Sequence, residues 1–235
     1  KSKKCDLIFN NTAVYLSIEL VKTLEELGKK VIDKSKAYYY TEDKWMFYLK
    51  CKEHNIPTPE TILLPQNLNG ITKELKDFSY WPVILKRVSG EQGDYVRKAD
   101  NIKEAIEIIK KFWGEQDERE PIIAQEFIKS DVYRVTVIGD KIIQTALKKG
   151  YGWKATAVYA EKVYKFKTDK ELENLTKRVV KLCKISICGI DFLKKDKKWV
   201  VLEINAEPSF EFFEDDMKRV IGKVLDFLKK EAKSK

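Results

Sequence analysis

Oxygen-bearing side chains at regular spacing cluster near the end of the chain, in Trp199-Val200-Val201-Leu202-Glu203-Ile204-Asn205-Ala206-Glu207-Pro208. Read as a strand with period two, this stretch puts Val200, Leu202 and Ile204 on one face and Val201, Glu203 and Asn205 on the other. Glu203 and Asn205 then stand roughly 6.6 Å apart along the strand. A second strand-like segment, Ile187-Cys188-Gly189-Ile190-Asp191-Phe192-Leu193, precedes it across a polar connector, Lys194 to Lys198. An odd connector of that length would turn Asp191 to the face of Glu203 and Asn205. Two carboxylates and an amide oxygen are hard ligands, a set that suits Mg²⁺ shared with substrate phosphates. The same spacing also fits a hairpin edge whose acids are simply solvated.

A lysine closes another strand candidate, Ile84-Leu85-Lys86, and leads into Val88-Ser89-Gly90-Glu91-Gln92-Gly93-Asp94-Tyr95-Val96. A lysine at a strand end beside a small glycine-containing loop can neutralise phosphate while loop amides cradle it. Neither the Gly-x-x-x-x-Gly-Lys-Ser/Thr nor the Gly-x-Gly-x-x-Gly spacing is present, so both of those nucleotide sites are disfavoured. An ordinary turn would use the same two glycines. Ile122 to Ile128 is an apolar strand interrupted by Gln125-Glu126. An exposed backbone edge there could pair with an adenine, although a core strand with two outward polar residues reads the same way. Arg134 and Lys154 lie in the same half of the chain as the acids, and a guanidinium suits a transferring phosphoryl group.

These residues need a scaffold, and composition bounds it. The 235 residues are 43% hydrophobic and 35% charged, enough for one large domain or two small ones. The net charge of +9 admits an acidic partner, whether nucleotide, protein tail or nucleic acid, and also fits a Lys/Glu-rich surface. Cys5, Cys51, Cys183 and Cys188 form no Cys-x-x-Cys pair and read as reduced thiols of a cytoplasmic protein. His54 is the only histidine, which weakens a histidine triad or zinc site. No apolar run reaches the length of a membrane span, and no signal peptide is visible. The first residue is Lys1 rather than Met, which leaves missing upstream sequence open.

Cys5 to Phe9 and Val31 to Asp33 read as short strands around a helix over Tyr15 to Leu27 that Gly28 ends. Thr41 can cap a helix running to about Glu53, which Ile56-Pro57-Thr58-Pro59 stops. Further strands are expected at Thr61 to Leu64, Val83 to Val88 and Pro121 to Ile128. A hairpin, Tyr133 to Ile138 and Lys141 to Leu147, turns at Gly139-Asp140. Helices are expected at Ile102 to Phe112, Lys170 to Cys183 and Asp215 to Ala232. Short hairpins mixed with helices predict α+β layers rather than a regular βαβ series.

The order of the pieces carries more than any one of them. A lysine on a helix, a lysine before a glycine loop, Gln125-Glu126-Phe127-Ile128, an arginine in Arg134-Val135-Thr136-Val137-Ile138-Gly139, then Gly189-Ile190-Asp191 and Leu202-Glu203-Ile204-Asn205-Ala206-x-Pro208 resemble the ATP-grasp superfamily. The likeness is closest to the RimK-type carboxylate–amine ligases, over roughly residues 41 to 214.

The resemblance implies an α+β (α/β) ATP-grasp fold. A shortened α/β segment at 1–41 precedes two subdomains, 42–120 and 121–235, that clasp ATP, the second carrying the metal site. It implies that Lys44 and Lys86 contact phosphates and that the loop bearing Ser89, Gly90, Gln92 and Gly93 closes over them. Gln125, Glu126, Phe127 and Ile128 would hold the adenine and Asp131 the ribose, while Arg134 and Lys154 would stabilise the transferring phosphate. Asp191, Glu203 and Asn205 would bind Mg²⁺, with Mn²⁺ as the alternative ion. The implied activity is an ADP-forming ligation through an acyl phosphate, joining an amino acid such as glutamate to a carboxylate acceptor on a protein, peptide or cofactor.

Four departures bear on this. A loop glycine of the family is Tyr95, the acid two residues before the arginine is Val132 with Asp131 shifted by one, and an asparagine falls at Thr156. Pro208-Ser209-Phe210-Glu211-Phe212 replaces the frequent Pro-Gly-Leu-Glu-Gly beside the acceptor site. A degenerate ATP-binding partner protein and a basic nucleic-acid binder are the rival readings; dispersal of the basic residues among acids disfavours the second. Acceptor, amine, number of additions and oligomeric state, including a homo-oligomer, stay open.

Overall fold

The computed structural model describes residues 5–12, 15–90, 94–114, 119–150, 153 and 162–234. The chain opens with β1 (Ile8–Phe9), α1 (Tyr15–Glu26) and β2 (Val31–Ile32), the two strands pairing in parallel. Ile18, Val21 and Leu24 recur at helical spacing, and Val21 and Leu24 are buried against Val31 and Ile8. Gly28 takes φ +68 and ends α1 as expected.

Two helices follow where one was expected. α2 (Ser35–Glu42) and α3 (Lys44–Glu53) break at Asp43, whose carboxylate accepts the Met46 N–H at 2.8 Å. Asp43 therefore caps α3, and Thr41 lies inside α2. The aromatic run of α2 has no helical period to announce it.

A four-stranded antiparallel sheet comes next, in the order β3 (Thr61–Leu63), β6 (Ile122–Glu126), β4 (Val83–Arg87), β5 (Val96–Ala99). One face buries Val83, Leu85, Ile122 and Ala124 against α4 (Leu68–Asp77) and α5 (Ile102–Gly114). The other face carries Lys86, Ile123, Gln125 and Val96. α4 and β5 were not anticipated. Turn residues hide α4, where Asn67 caps by accepting the Gly70 N–H at 2.7 Å, and β5 is half polar.

The five-stranded antiparallel sheet has the order β11 (Lys198–Asn205), β10 (Ile187–Lys195), β7 (Val132–Ile138), β8 (Lys141–Lys149), β9 (Lys162–Tyr164). Its outer face packs Ile190, Phe192, Trp199, Val201 and Ile204 against α6 (Lys170–Cys183), and Ala37, Phe47, Cys51 and Ile56 join this core. α7 (Met217–Lys233) closes a smaller cluster through Val220 and Val224 on Ile138 and Ile187. Asp33 is 5% exposed, and its carboxylate accepts the Ser186 and Ile187 N–H groups at 2.7 and 3.1 Å. It thereby ties the N-terminal unit to the start of β10.

The hairpin between β10 and β11 turns differently from the sequence expectation. Lys195 pairs with Lys198, so the turn is only Asp196-Lys197, both with positive φ, of the kind that matches strand twist. Phe192 pairs with Val201 but Asp191 pairs with Glu203, which leaves Leu202 as a bulge. That extra residue, not an odd connector, brings Asp191, Glu203 and Asn205 to one face. It also corrects the strict alternation, since Val201 faces the core with Ile204.

Candidate active site

The inner faces of the two sheets enclose a cavity of about 530 Å³ whose wall includes Lys44, Lys86, Gln125, Arg134, Lys148, Glu203 and Asn205. The elements position these groups differently. α3 presents Lys44 from its first turn, where its Nζ donates to the Gly90 carbonyl at 2.7 Å and its backbone N–H to the Val88 carbonyl at 3.1 Å. β4 presents Lys86, only 8% exposed, whose Nζ donates to Gln125 Oε1 at 2.8 Å. Burial pushes the Lys86 pKa down to about 8, partly opposed by Glu203 and assisted by Lys44.

The five-stranded sheet supplies a denser group. Register places Arg134 of β7 directly across from Asp191 of β10. Arg134 donates through Nε to Oδ1 at 2.6 Å and through Nη2 to Oδ2 at 2.8 Å, a bidentate pair. Lys148 Nζ lies 3.3 Å from the same carboxylate. Asp191 is fully buried; although burial alone would raise its pKa, the Arg134 guanidinium and then Lys148 hold it well below the usual carboxylate range. The same carboxylate raises Arg134, whereas burial lowers Lys148. A Cβ at Gly189 would overlap Arg134 Nη1, so only glycine leaves the guanidinium its place.

Lys148 was missed in the sequence. It falls one residue beyond the expected end of β8, in a Lys-Lys-Gly run that looks like surface charge, yet it is 1% exposed. Its extended alternation with Gln144 and Ala146 was the available signal.

The residues assigned to adenine separate into two kinds. The Gln125 side chain is buried and already engaged with Lys86 and Thr61. Glu126 receives Lys195 Nζ at 2.5 Å, and its backbone N–H donates to the Glu60 carbonyl at 2.7 Å. The Phe127 N–H donates to the Pro82 carbonyl at 3.1 Å. Ile128 and Leu202, the bulge residue, both pack on the cluster of Val132, Leu193 and Val200, and Leu202 lines the cavity. Asp131 is half-buried, 3.9 Å from Lys149, and Ser89 donates to Glu120 at 3.0 Å on the surface. Gln92, Gly93, Lys154 and Thr156 lie outside the described residues.

Among the described residues no three His, Cys, Asp or Glu side chains group around a common point. The set proposed from sequence uses an amide as its third donor. Asp191 is kept ionised, Glu203 is its register partner at the cavity wall, and the Asn205 amide donates to the Gly189 carbonyl at 3.4 Å, which orients its oxygen away from that carbonyl. Both Asp191 oxygens are engaged by Arg134 and Lys148 and Asp191 is off the cavity wall, so an Mg²⁺ that arrives with phosphates would meet the hard oxygens of Glu203 and Asn205 first.

A family model described as a RimK-like ATP-grasp domain matches residues 41–228. Among curated proteins, the alpha-aminoadipate–LysW ligase LysX of Saccharolobus solfataricus is 30% identical over 193 residues, covering 80% of this chain and 69% of LysX. A probable alpha-L-glutamate ligase of Haemophilus influenzae is 25% identical over 212 residues, covering 88% of this chain and 68% of the relative. Among solved structures, a D-alanine–D-alanine ligase of Bacillus anthracis complexed with ATP superposes with a TM-score of 0.77 at 18% identity, covering 99% of this chain and 80% of the other. Among the described residues no helix is long and apolar enough to cross a membrane.

Proposed function

The chain belongs to the RimK-like ATP-grasp family, and on that premise we propose that it joins an amino acid to a carboxylate acceptor through an acyl phosphate. As a member of that family it is an ATP-using, ADP-forming ligase that makes amide bonds. The observation that carries the reading is the convergence of Lys44, Lys86, Arg134 and Lys148 with Glu203 and Asn205 on one cavity.

A carboxylate resists amines because its oxygen is a poor leaving group. In the proposed reaction an acceptor carboxylate oxygen attacks the γ-phosphorus of ATP. The bond to the β–γ bridging oxygen breaks, and ADP leaves with that electron pair. The amine then attacks the acyl carbon, the C–O bond to phosphate breaks, and the amine loses its proton. Lys44 and Lys86 bind the phosphates from the side of the four-stranded sheet. Arg134 and Lys148 stabilise the charge of the phosphoryl group in flight. Mg²⁺, or Mn²⁺, held by Asp191, Glu203 and Asn205 would supply Lewis-acid charge neutralisation.

Adenine lies along 126–128 against Ile128 and Leu202, the ribose toward Asp131, and Ser89 and Gly90 border the phosphates. Gln92, Gly93 and Lys154 keep the roles the resemblance gives them. The cleft then lies between 42–120 and 121–235, with 1–41 as the entering segment and α3 packed on the second unit.

LysX is named for ligating alpha-aminoadipate and LysW, and the Haemophilus protein as a glutamate ligase. Both support an amino-acid substrate, and the net charge of +9 supports an acidic acceptor protein or peptide. The test is ADP release from ATP and Mg²⁺ with a panel of amino acids and acidic acceptors. Release that one pair stimulates is expected, with a KM for the acceptor that rises with salt. Tight ATP binding without turnover for any pair would favour a binding protein, and absent ATP binding would overturn the assignment from Lys44 to Asn205.

A further inference from the structure

The four-stranded sheet holds a line of buried polar side chains of which the reaction scheme above uses only the last, Lys86. Thr61, Gln125 and Lys86 sit on β3, β6 and β4, three adjacent strands, and are 3%, 6% and 8% exposed. Register puts Thr61 and Ile84 on either side of Gln125, and Lys86 two residues on from Ile84, all on the cavity face.

The hydrogen bonds run in one direction. Thr61 Oγ1 donates to the Pro59 carbonyl at 2.9 Å, which uses the only proton the hydroxyl has. The hydroxyl can then only accept from Gln125, whose Nε2 lies 3.0 Å away. That fixes the sense of the amide, because its NH₂ must face Thr61. Its carbonyl oxygen is therefore turned to Lys86, and Nζ donates to it at 2.8 Å. A flipped amide would set two donors against an ammonium in a buried site and leave the hydroxyl facing a carbonyl oxygen it has no proton for.

We propose that Thr61 and Gln125 are positioning residues for Lys86, forming a relay from the Pro59 carbonyl that holds the ammonium at one point of the cavity wall. A neutral amide suits this task better than a carboxylate. It anchors one of the three ammonium protons without cancelling the charge, so the remaining protons and the full positive charge point to an incoming phosphate. A carboxylate in that place would compete with the phosphate. The charged groups that act on Lys86 from the other elements are Glu203, Asp191 and Lys44, none of which is its hydrogen-bond partner. The relay rests on the reading of Lys86 as a phosphate ligand.

The experiment measures equilibrium ATP binding, the KM for ATP, kcat and thermal melting for Thr61→Val, Thr61→Ser, Gln125→Met and Lys86→Met in the full chain. Thr61→Val removes the hydroxyl at nearly constant volume and frees the amide to turn. Expected are an about tenfold weaker ATP affinity and a matching rise in KM with a smaller change in kcat. Thr61→Ser restores the hydroxyl and is expected to recover wild-type affinity, which a mere packing role for the methyl group would not give. Gln125→Met keeps the side-chain length, removes the carbonyl acceptor and is expected to match Thr61→Val; it decides the matter should Thr61→Val fail to fold. Weak binding by Lys86→Met together with wild-type binding by Thr61→Val and Gln125→Met would overturn the relay and leave the ligase reading standing. Wild-type binding by Lys86→Met would overturn the role of Lys86 itself.

Discussion

On the five-stranded sheet Arg134 and Lys148 share the Asp191 carboxylate, whereas on the four-stranded sheet the hydrogen-bond partner of Lys86 among the described residues is the amide of Gln125. All four polar side chains of the two lysines, the arginine and the aspartate are nearly or fully buried. Desolvation presses on each charge, and the two sheets answer it differently. A carboxylate between two cations keeps its own charge, favours the charged form of each and fixes them in place. An amide fixes position but restores little of the lost solvation, and burial takes Lys86 down to about 8; burial lowers Lys148 too, but there Asp191 opposes it. One wall is therefore rigidly charged, and the other carries a charge that phosphate can complete.

Removing the carboxylate should break the first wall most severely. Asp191→Asn leaves Arg134 and Lys148 buried without their counter-charge, and a loss of about 3–5 kcal/mol in urea unfolding is expected. Unchanged stability would mean that the cations are solvated rather than paired. A milder cut keeps the charges and moves one. Gly189→Ala places a methyl where Arg134 Nη1 lies, so turnover should fall about 10²-fold while the fold survives. Wild-type turnover would show that Arg134 does not act from this position.

The smallest expected effect sharpens the contrast with the second wall. Lys86 is protonated below its lowered pKa of about 8, so ATP affinity should fall as pH rises through about 8. From about pH 7 to about pH 9 the loss should reach at most about tenfold in calorimetric titration. The same titration should be flat for Lys86→Met, and a wild-type enzyme with no such slope would place the Lys86 pKa elsewhere.

Much of the catalytic wall was legible in the chain. Gly189-Ile190-Asp191 and Glu203-x-Asn205 were identified as a converging oxygen set, and they do share a face. The stated cause was wrong, because a bulge cannot be seen in a pattern that assumes strict alternation. Lys148 was obscured for a related reason: in a lysine-rich chain a buried lysine has no compositional mark, and only its alternation with Gln144 and Ala146 along β8 sets it apart. Gln125 was noticed, but its partners come from two other strands, at Thr61 and Lys86, and cross-strand neighbours have no local signature. α6 was read with both of its ends because Leu172, Leu175, Val179 and Cys183 keep a clean helical period. α2 and α4 lack one or are masked by turn residues, so tertiary packing decides them.

The extra residue at Leu202 works like a frameshift in the hairpin. Counting outward from the turn alone, Leu202 would oppose Asp191 and Glu203 would oppose Ile190, sending Glu203 and Asn205 into the apolar core. One inserted position restores the parity for everything downstream of it. A deletion at Leu202 would therefore act less like the loss of a leucine than like an inversion of the strand beyond it. Two hairpins of this kind with equal turns can carry opposite faces, and residues in them correspond only when counted from the bulge.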